Sequence, residues 1–221
     1  MTRVMIAGVS DLLGVLREWE GKPSIFRGVG RAGDALIPSI GRCPVSPKTT
    51  RPKTEQRLFK RFKEQVLPYL SFMPRDDWEW LAVAQHHGLP TRLLDWTRNP
   101  LAALYFAVEQ DIGQDSAVYV FGPKIVLDKA TSPDPFAITQ VMRFQPPAIS
   151  DRIVQQAGLF TAHPDPSVPF EDTSLTKLIV PQSAQRNLKK ELFKLGVTRG
   201  SLFPGFDGAV VDITWEATGL H

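Results

Sequence analysis

The spacing of apolar residues along the chain predicts an alternation of helices and strands. In several segments apolar residues recur every three or four positions, a period typical of helices that bury one face. The predicted helices cover residues 10–19, 54–70, 76 or 77 to 86, 100–109 and 183–195. Capping signals support two of these bounds, because Asn99-Pro100 opens the fourth helix and Ser183 is expected to cap the fifth.

Runs of apolar and β-branched residues bounded by Gly and Pro predict the strands. These strands cover residues 24–28, 91–97, 116–122, 152–163, 175–181 and 208–214, and residues 124–128 extend or follow the third one. Residues 1–22 are expected to form a helical lead-in, residues 31–52 a long loop or lid, and residues 131–150 an irregular segment. Helices mostly precede strands, so we expect one α+β domain over residues 1–221, with N-terminal helices packed on a mixed or antiparallel β core.

Composition and charge narrow the class of protein only slightly. The chain has 221 residues, of which 43% are apolar and 22% charged, enough to bury a sizeable core. The net charge of +3 suits an anionic ligand but falls short of a dedicated nucleic-acid binder. Cys43 is the only cysteine, so no intrachain disulfide can form. No signal peptide or membrane-length apolar run is visible, and we expect a cytoplasmic protein.

The densest group of polar residues lies between Trp80 and Glu109. This segment places seven polar or aromatic residues between two apolar helical runs: His86, His87, Thr91, Arg92, Asp95, Trp96 and Thr97. Polar groups framed by residues that must be buried form either a structural network or the wall of a site. Both interpretations stay open at this point.

Several short motifs point to chemistry that their surroundings do not support. The run Gly28 to Gly33 matches G-x-G-x-x-G, but Pro38 follows too closely for the helix that a dinucleotide site requires. His86 and His87 are adjacent and point in different directions, so a metal site would need carboxylates from elsewhere, such as Asp95. No G-x-S-x-G elbow occurs, which disfavours a triad hydrolase.

Three residues outside these motifs are candidates for ligand contact. Arg27 ends a strand beside Gly28, whose missing side chain allows close approach, and its planar guanidinium suits phosphate or ribose oxygens. A structural salt bridge from Arg27 to Asp95 or Asp207 is an equally good interpretation. Tyr105 has a polar tip in a helix otherwise typical of core packing, and Gln156 needs a partner for its amide.

The order of these motifs resembles the FRG domain family, whose Phe-Arg-Gly stands here at residues 26–28. The resemblance rests on IFRG, LIPSIGR, AQHHGLPTRLLDWTRNPLAALYFAVE, RIVQQAGLF and SLFPGFDG, which follow one another over nearly the whole chain. One position departs from the family pattern, because Gly205 stands where the family usually has Asp.

The FRG motif layout is similar to that of the ADP-ribosyltransferase superfamily, which implies an ADP-ribosyltransferase-like fold with NAD as substrate and no metal. By this resemblance Arg27, Thr97 and Tyr105 are expected to contact NAD, and we expect Gly28, Thr91 and Arg92 to bind it beside them. The residues that act in catalysis are Arg27, His86, Asp95, Tyr105 and Gln156. Asp95, Glu109 and Asp207 are the available carboxylates, His86 is a candidate general base, and the sequence does not choose among them.

Three hypotheses about function follow, in decreasing order of preference. The first is an NAD-using ADP-ribosyltransferase that modifies an unknown protein or nucleic-acid acceptor, as a toxin, effector or phage-defence component with a possible antitoxin or immunity partner. The second is a non-catalytic module that binds a nucleotide or nucleic acid through Arg27, Arg92 and the 31–52 loop. The third is a metal-dependent hydrolase that uses His86, His87 and Asp95. None of them requires a membrane.

Overall fold

One seven-stranded mixed sheet organises the protein, whose computed structural model describes residues 2–110, 112–147 and 154–219. Its strands are β1 (Thr2–Met5), β2 (Ile25–Val29), β3 (Leu93–Thr97), β4 (Ser116–Phe121), β5 (Met142–Phe144), β6 (Gly158–Ala162) and β7 (Thr176–Val180). They lie in the order β1-β7-β4-β2-β3-β6-β5. The edge strand β1 runs parallel to β7, and all other neighbours are antiparallel.

Eight α-helices with bounds in the described ranges accompany the sheet. They are α1 (Val9–Arg17), α2 (Ser39–Arg42), α3 (Arg51–Val66), α4 (Asp77–His86), α5 (Pro100–Val108), α6 (Gln182–Lys194), α7 (Arg199–Leu202) and α8 (Phe206–Thr218). The cap of α5 is confirmed, because Asn99 Oδ1 accepts hydrogen bonds from the backbone N–H groups of Leu101 and Ala102. The expected α+β class is confirmed as well.

Helices cover one side of the sheet in two separate groups. Helices α1, α5 and α6 pack with β2, β4 and β7 around a core that includes Phe26. Helices α3 and α4 pack with β3, β5 and β6 around a second core that includes Trp78. The opposite side of the sheet forms a third core under loops, which contribute Leu36 and Phe170. The two helix groups therefore meet above the junction between β2 and β3.

At this junction the pairing of the two neighbouring strands is limited to one residue pair. Strand β2 pairs with β4 along its whole length, whereas β2 and β3 are in register at Phe26 and Thr97. Strand β3 in turn pairs with β6 along its whole length. The two strands diverge beyond this shared pair. At Arg27 and Asp95 they are connected by the Arg27 side chain, which donates to the Asp95 carbonyl, and not by a backbone–backbone hydrogen bond.

The loop at residues 31–52 is held in place over the far side of the sheet. Its backbone is bonded at Ile40 to the carbonyl of Thr91, and the Lys177 ammonium donates to the carbonyl of Ala32. Gly41 packs so closely on the carbonyl of Pro166 that a Cβ would overlap it. Helix α2 interrupts the loop, and α3 begins within its last two residues. These contacts describe a fixed cover, and a function as a lid stays a prediction.

Several of the predicted elements needed correction. The lead-in at residues 1–22 contains β1 before α1, and the segment 131–150 contains β5; both strands are too short for their alternation to be visible in the sequence. The strand predicted at 152–163 is observed from Gly158, while 152 and 153 lie outside the described residues. Helix α6 starts at Gln182 after Pro181, so Ser183 is not its cap.

The largest error is at residues 208–214, where a strand was expected and α8 is found. The β-branched residues of this segment favour a strand locally, but the tertiary contacts follow a helical period. Gly208 packs on the carbonyl of Phe203, the Asp212 carboxylate accepts from the N–H of Gly200, and Trp215 is buried. Among the described residues, no helix is long and apolar enough to cross a membrane.

Candidate functional site

A cleft of about 430 Å³ opens where the two helix groups meet above the β2–β3 junction. Its volume is within the range of small-molecule sites. The lining residues are Phe26, Arg27, Gly28, Gln85, His86, Gly88, Asp95, Trp96, Thr97, Phe106 and Gln156. Six residues proposed from the sequence therefore come together here: Arg27, Gly28, His86, Asp95, Thr97 and Gln156.

Arg27 crosses the gap between the diverging strands. Its Nη1 donates to the backbone carbonyl of Asp95 at 2.6 Å and lies 3.6 Å from the Asp95 carboxylate, so the salt bridge considered from the sequence exists. The side chain is 19% exposed, and its Nε has no hydrogen-bond partner among the described residues. Burial lowers the pKa of the Arg27 guanidinium, and the Asp95 charge opposes that shift. Arg27 is therefore a desolvated cation at the wall of the cleft.

Gly28 serves the packing of α5 against β2. A Cβ at this position would overlap the carbonyl oxygen of Ala103 and come within 2.7 Å of the backbone nitrogen of Ala107. The glycine thus lets a helix approach the strand, which differs from the ligand approach expected from the sequence. The close approach also brings Phe106 of α5 into the cleft wall.

Asp95 is held by a chain of hydrogen bonds that begins in the loop cover. Ser39 Oγ accepts from the backbone N–H of Thr91, and Thr91 Oγ1 donates to Gln85 Oε1 at 2.6 Å. Gln85 Nε2 then donates to Asp95 Oδ2 at 2.9 Å. Gln85 was not proposed from the sequence, although its position beside His86 in the AQHHG run was the available signal.

Thr97 and Gln156 hold the end of the cleft together. Thr97 Oγ1 donates to the backbone carbonyl of Gln156 at 2.5 Å and accepts from the N–H of Asn99 at 2.9 Å. Gln156 Nε2 donates to the carbonyl of Leu202 at 3.1 Å, so its amide has the partner that the sequence required. The next residue, Ala157, has a φ of 45° and turns the chain into β6. Both side chains therefore hold backbone segments that are distant in the sequence.

Three proposed site residues lie outside the cleft. Thr91 is fully buried behind Gln85, and Arg92 forms a buried ion pair with Glu55 at 2.7 Å. Tyr105 is buried in the core of the first helix group, where burial raises the pKa of its hydroxyl and the Glu109 carboxylate raises it further. One position further along α5, Phe106 supplies the aromatic wall that Tyr105 was expected to provide. Arg92 is thus not available to the binding module of the second hypothesis.

The histidine pair ends α4 at the rim of the cleft. The rings of His86 and His87 pack edge to face with centroids 5.0 Å apart, and His87 is exposed. No group of three His, Cys, Asp or Glu side chains in the described ranges could hold a metal ion. The third hypothesis therefore has no preformed ligand set there.

A second cleft of about 430 Å³ lies on the loop-covered side of the sheet. It is lined by Ala35, Leu36, Tyr119, Pro169, Phe170, Glu171, Asp172, Thr173 and Leu175. Ala35 and Leu36 belong to the 31–52 loop of the second hypothesis, but none of the individually proposed site residues lines this cleft. The first cleft combines a buried cation, a carboxylate and aromatic rings, which makes it the better candidate for a site that recognises an anionic ligand.

The fold and the cleft define an α+β protein with a polar site where β2 and β3 of a mixed sheet diverge. Comparison with known families adds one finding, which is that residues 22–116 match the model of the FRG domain. The match contains β2, β3, α4 and α5, the elements that build most of the cleft. No curated protein and no solved structure matches the chain significantly.

The backbone conformation at position 205 explains why glycine suits this position, where the family pattern usually has Asp. Gly205 precedes α8 with a φ of 132°, a backbone conformation that residues with a side chain rarely adopt. An Asp in this conformation would be strained, so the glycine suits the turn found here. Gly205 does not line the cleft.

Proposed function

We propose that the cleft binds NAD and that the protein transfers ADP-ribose from NAD to a macromolecular acceptor. The observation that carries the proposal is the Arg27 guanidinium, a largely buried cation on the cleft wall whose Nε lacks a partner among the described residues. A desolvated guanidinium recognises phosphate oxygens through charge-assisted hydrogen bonds. The half-buried Phe106 lines the same cleft and offers apolar surface to the nicotinamide.

The reaction breaks the bond between nicotinamide and ribose, which develops positive charge on the ribose. A protein promotes this step mainly by orientation and electrostatic stabilisation, so a cleft with fixed polar groups is suited to it. The ADP-ribosyltransferase-like fold remains part of this proposal and is supported by the motif order. A toxin, effector or phage-defence role, with an antitoxin or immunity partner, is consistent with such an activity and belongs to the same proposal.

Binding and turnover of NAD test the proposal. Calorimetric titration with NAD would compare the wild type with Arg27→Ala and with Arg31→Ala, an exposed arginine in the neighbouring loop. Loss of a charge-assisted bond of about 1.5–3 kcal/mol should weaken NAD binding roughly 10- to 150-fold in Arg27→Ala alone. Nicotinamide release should fall in Arg27→Ala in parallel with NAD binding. It is measured by chromatography with and without cell-extract protein and nucleic acid.

Equal NAD affinity in the wild type and Arg27→Ala would remove Arg27 from the site. Tight binding of NAD without any nicotinamide release would favour a nucleotide-binding module over a transferase. Absence of both binding and release in the wild type would overturn the proposal.

A further inference from the structure

Three carboxylates are available for the bond-breaking step, and they differ in where they lie. Glu109 follows the last residue of α5 and is paired with Arg199, away from the cleft lining. Asp207 lies in the first turn of α8 and is exposed. Asp95 is the carboxylate among the described lining residues, and 59% of its side chain is exposed at the cleft.

The orientation of the Asp95 carboxylate follows from the hydrogen bonds behind it. Thr91 Oγ1 accepts from the backbone N–H of Leu93 at 3.1 Å, so its own proton is directed to Gln85 Oε1. This bond turns the amide of Gln85 so that its nitrogen faces Asp95. Because Thr91 is fully buried and its backbone is hydrogen-bonded to Ser39 and Ile40, the whole arrangement is set before any ligand arrives.

We propose that Asp95 is the catalytic carboxylate of this cleft and that Gln85, fixed by Thr91, is its positioning residue. The inference rests on the proposed NAD-dependent transfer. As the bond between ribose C1′ and the nicotinamide nitrogen breaks, its electron pair goes to that nitrogen, and Asp95 stabilises the positive charge left on the ribose. An O–H or N–H group of the acceptor forms the new bond to C1′, and its proton passes to the Asp95 carboxylate.

Asp95→Asn is the direct test, because the amide keeps the size of the side chain and can still accept from Gln85. A carboxylate that stabilises charge and takes a proton contributes roughly 10²–10⁴ in rate, so kcat for nicotinamide release should fall at least about 100-fold. The dissociation constant of NAD, measured by calorimetry, should stay within about threefold. Asp207→Asn removes an exposed carboxylate outside the cleft and is the matched control.

The positioning role of Gln85 is tested through its buried partner. Thr91→Val removes the hydroxyl and should lower kcat roughly 10-fold with NAD affinity unchanged, since misplacement of a catalytic group is costly. Thr91→Ser restores the hydroxyl and should recover most of that loss. A purely structural role for Thr91 predicts a lower melting temperature with kcat preserved in the folded fraction.

The outcomes separate this inference from the proposed function. Wild-type kcat in Asp95→Asn, or loss of NAD binding in proportion to kcat, would overturn the catalytic role of Asp95 while leaving NAD turnover established. A wild-type protein that neither binds nor cleaves NAD would overturn the proposed function, and this inference with it.

Discussion

Replacing Glu55 by Gln is expected to destabilise the protein strongly, because it leaves the Arg92 cation buried without a counter-charge. Glu55 and Arg92 are 2% and 3% exposed, and the Glu55 carboxylate accepts from Arg92 Nη2, Nε and backbone N–H at 2.7, 3.1 and 3.0 Å. The remaining donor, Arg92 Nη1, is bonded to the carbonyl of Pro135 at 3.2 Å. The pair connects α3 to the residue directly before β3, the strand that carries Asp95.

Removing one partner of such a buried pair costs roughly 3–5 kcal/mol. For a chain of this length that loss lowers the melting temperature by about 6–20 °C. Urea titration followed by tryptophan fluorescence would measure the free energy of unfolding. The matched control is Glu64→Gln, which breaks the exposed contact with Lys60 at 3.9 Å and should cost under about 0.5 kcal/mol.

A third variant isolates the cause of the loss. If the cost comes from the stranded cation, the double replacement Glu55→Met with Arg92→Met should recover most of the stability lost in Glu55→Gln. A loss below about 1 kcal/mol in Glu55→Gln, or a loss equal to that of Glu64→Gln, would refute the argument.

Two further predictions concern packing and pH. Gly28→Ala should destabilise by about 1–3 kcal/mol or more because the new methyl group meets the backbone of Ala103, whereas Gly33→Ala, which enters open space, should be nearly neutral in the same urea titration. Burial and the charges of Arg27 and Arg92 lower the pKa of His163 from 6.5 to about 4. The stability from keeping His163 neutral is complete above pH 6.5 and is lost as the pH falls to about 4, by about 3 kcal/mol. Urea titrations between pH 4 and 7 should show this loss in the wild type and a flatter dependence in His163→Gln; identical pH profiles would contradict it.

The sequence predicted best those features that depend on neighbouring residues. The cap at Asn99 and Pro100 and the helix that follows depend on a few consecutive positions, and both are observed. The strand at Ser116–Phe121 is likewise bounded by local turn signals. The polar residues of the central segment were also identified, because polar groups between buried runs need a reason to be there.

The sequence pattern did not predict contacts between residues that are far apart in the chain. Arg92 looked like a ligand-binding residue, but its partner Glu55 lies 37 positions earlier in a helix that reads as amphipathic and solvated. On α5, a single step along the helix separates a core position from a cleft position, so periodicity did not distinguish Tyr105 from Phe106. Gln85 was missed because its importance comes from Thr91 and Asp95, which approach it only in the folded chain.

The central claim is that the cleft at the β2–β3 junction holds NAD, and a crystal structure of the protein soaked with NAD or ADP-ribose tests it most directly. We expect density for the nucleotide between Arg27, Asp95 and Phe106, with a phosphate or ribose oxygen within hydrogen-bond distance of the Arg27 guanidinium. Density in the second cleft beside Tyr119 and Phe170, or an unaltered first cleft at millimolar NAD, would contradict the account.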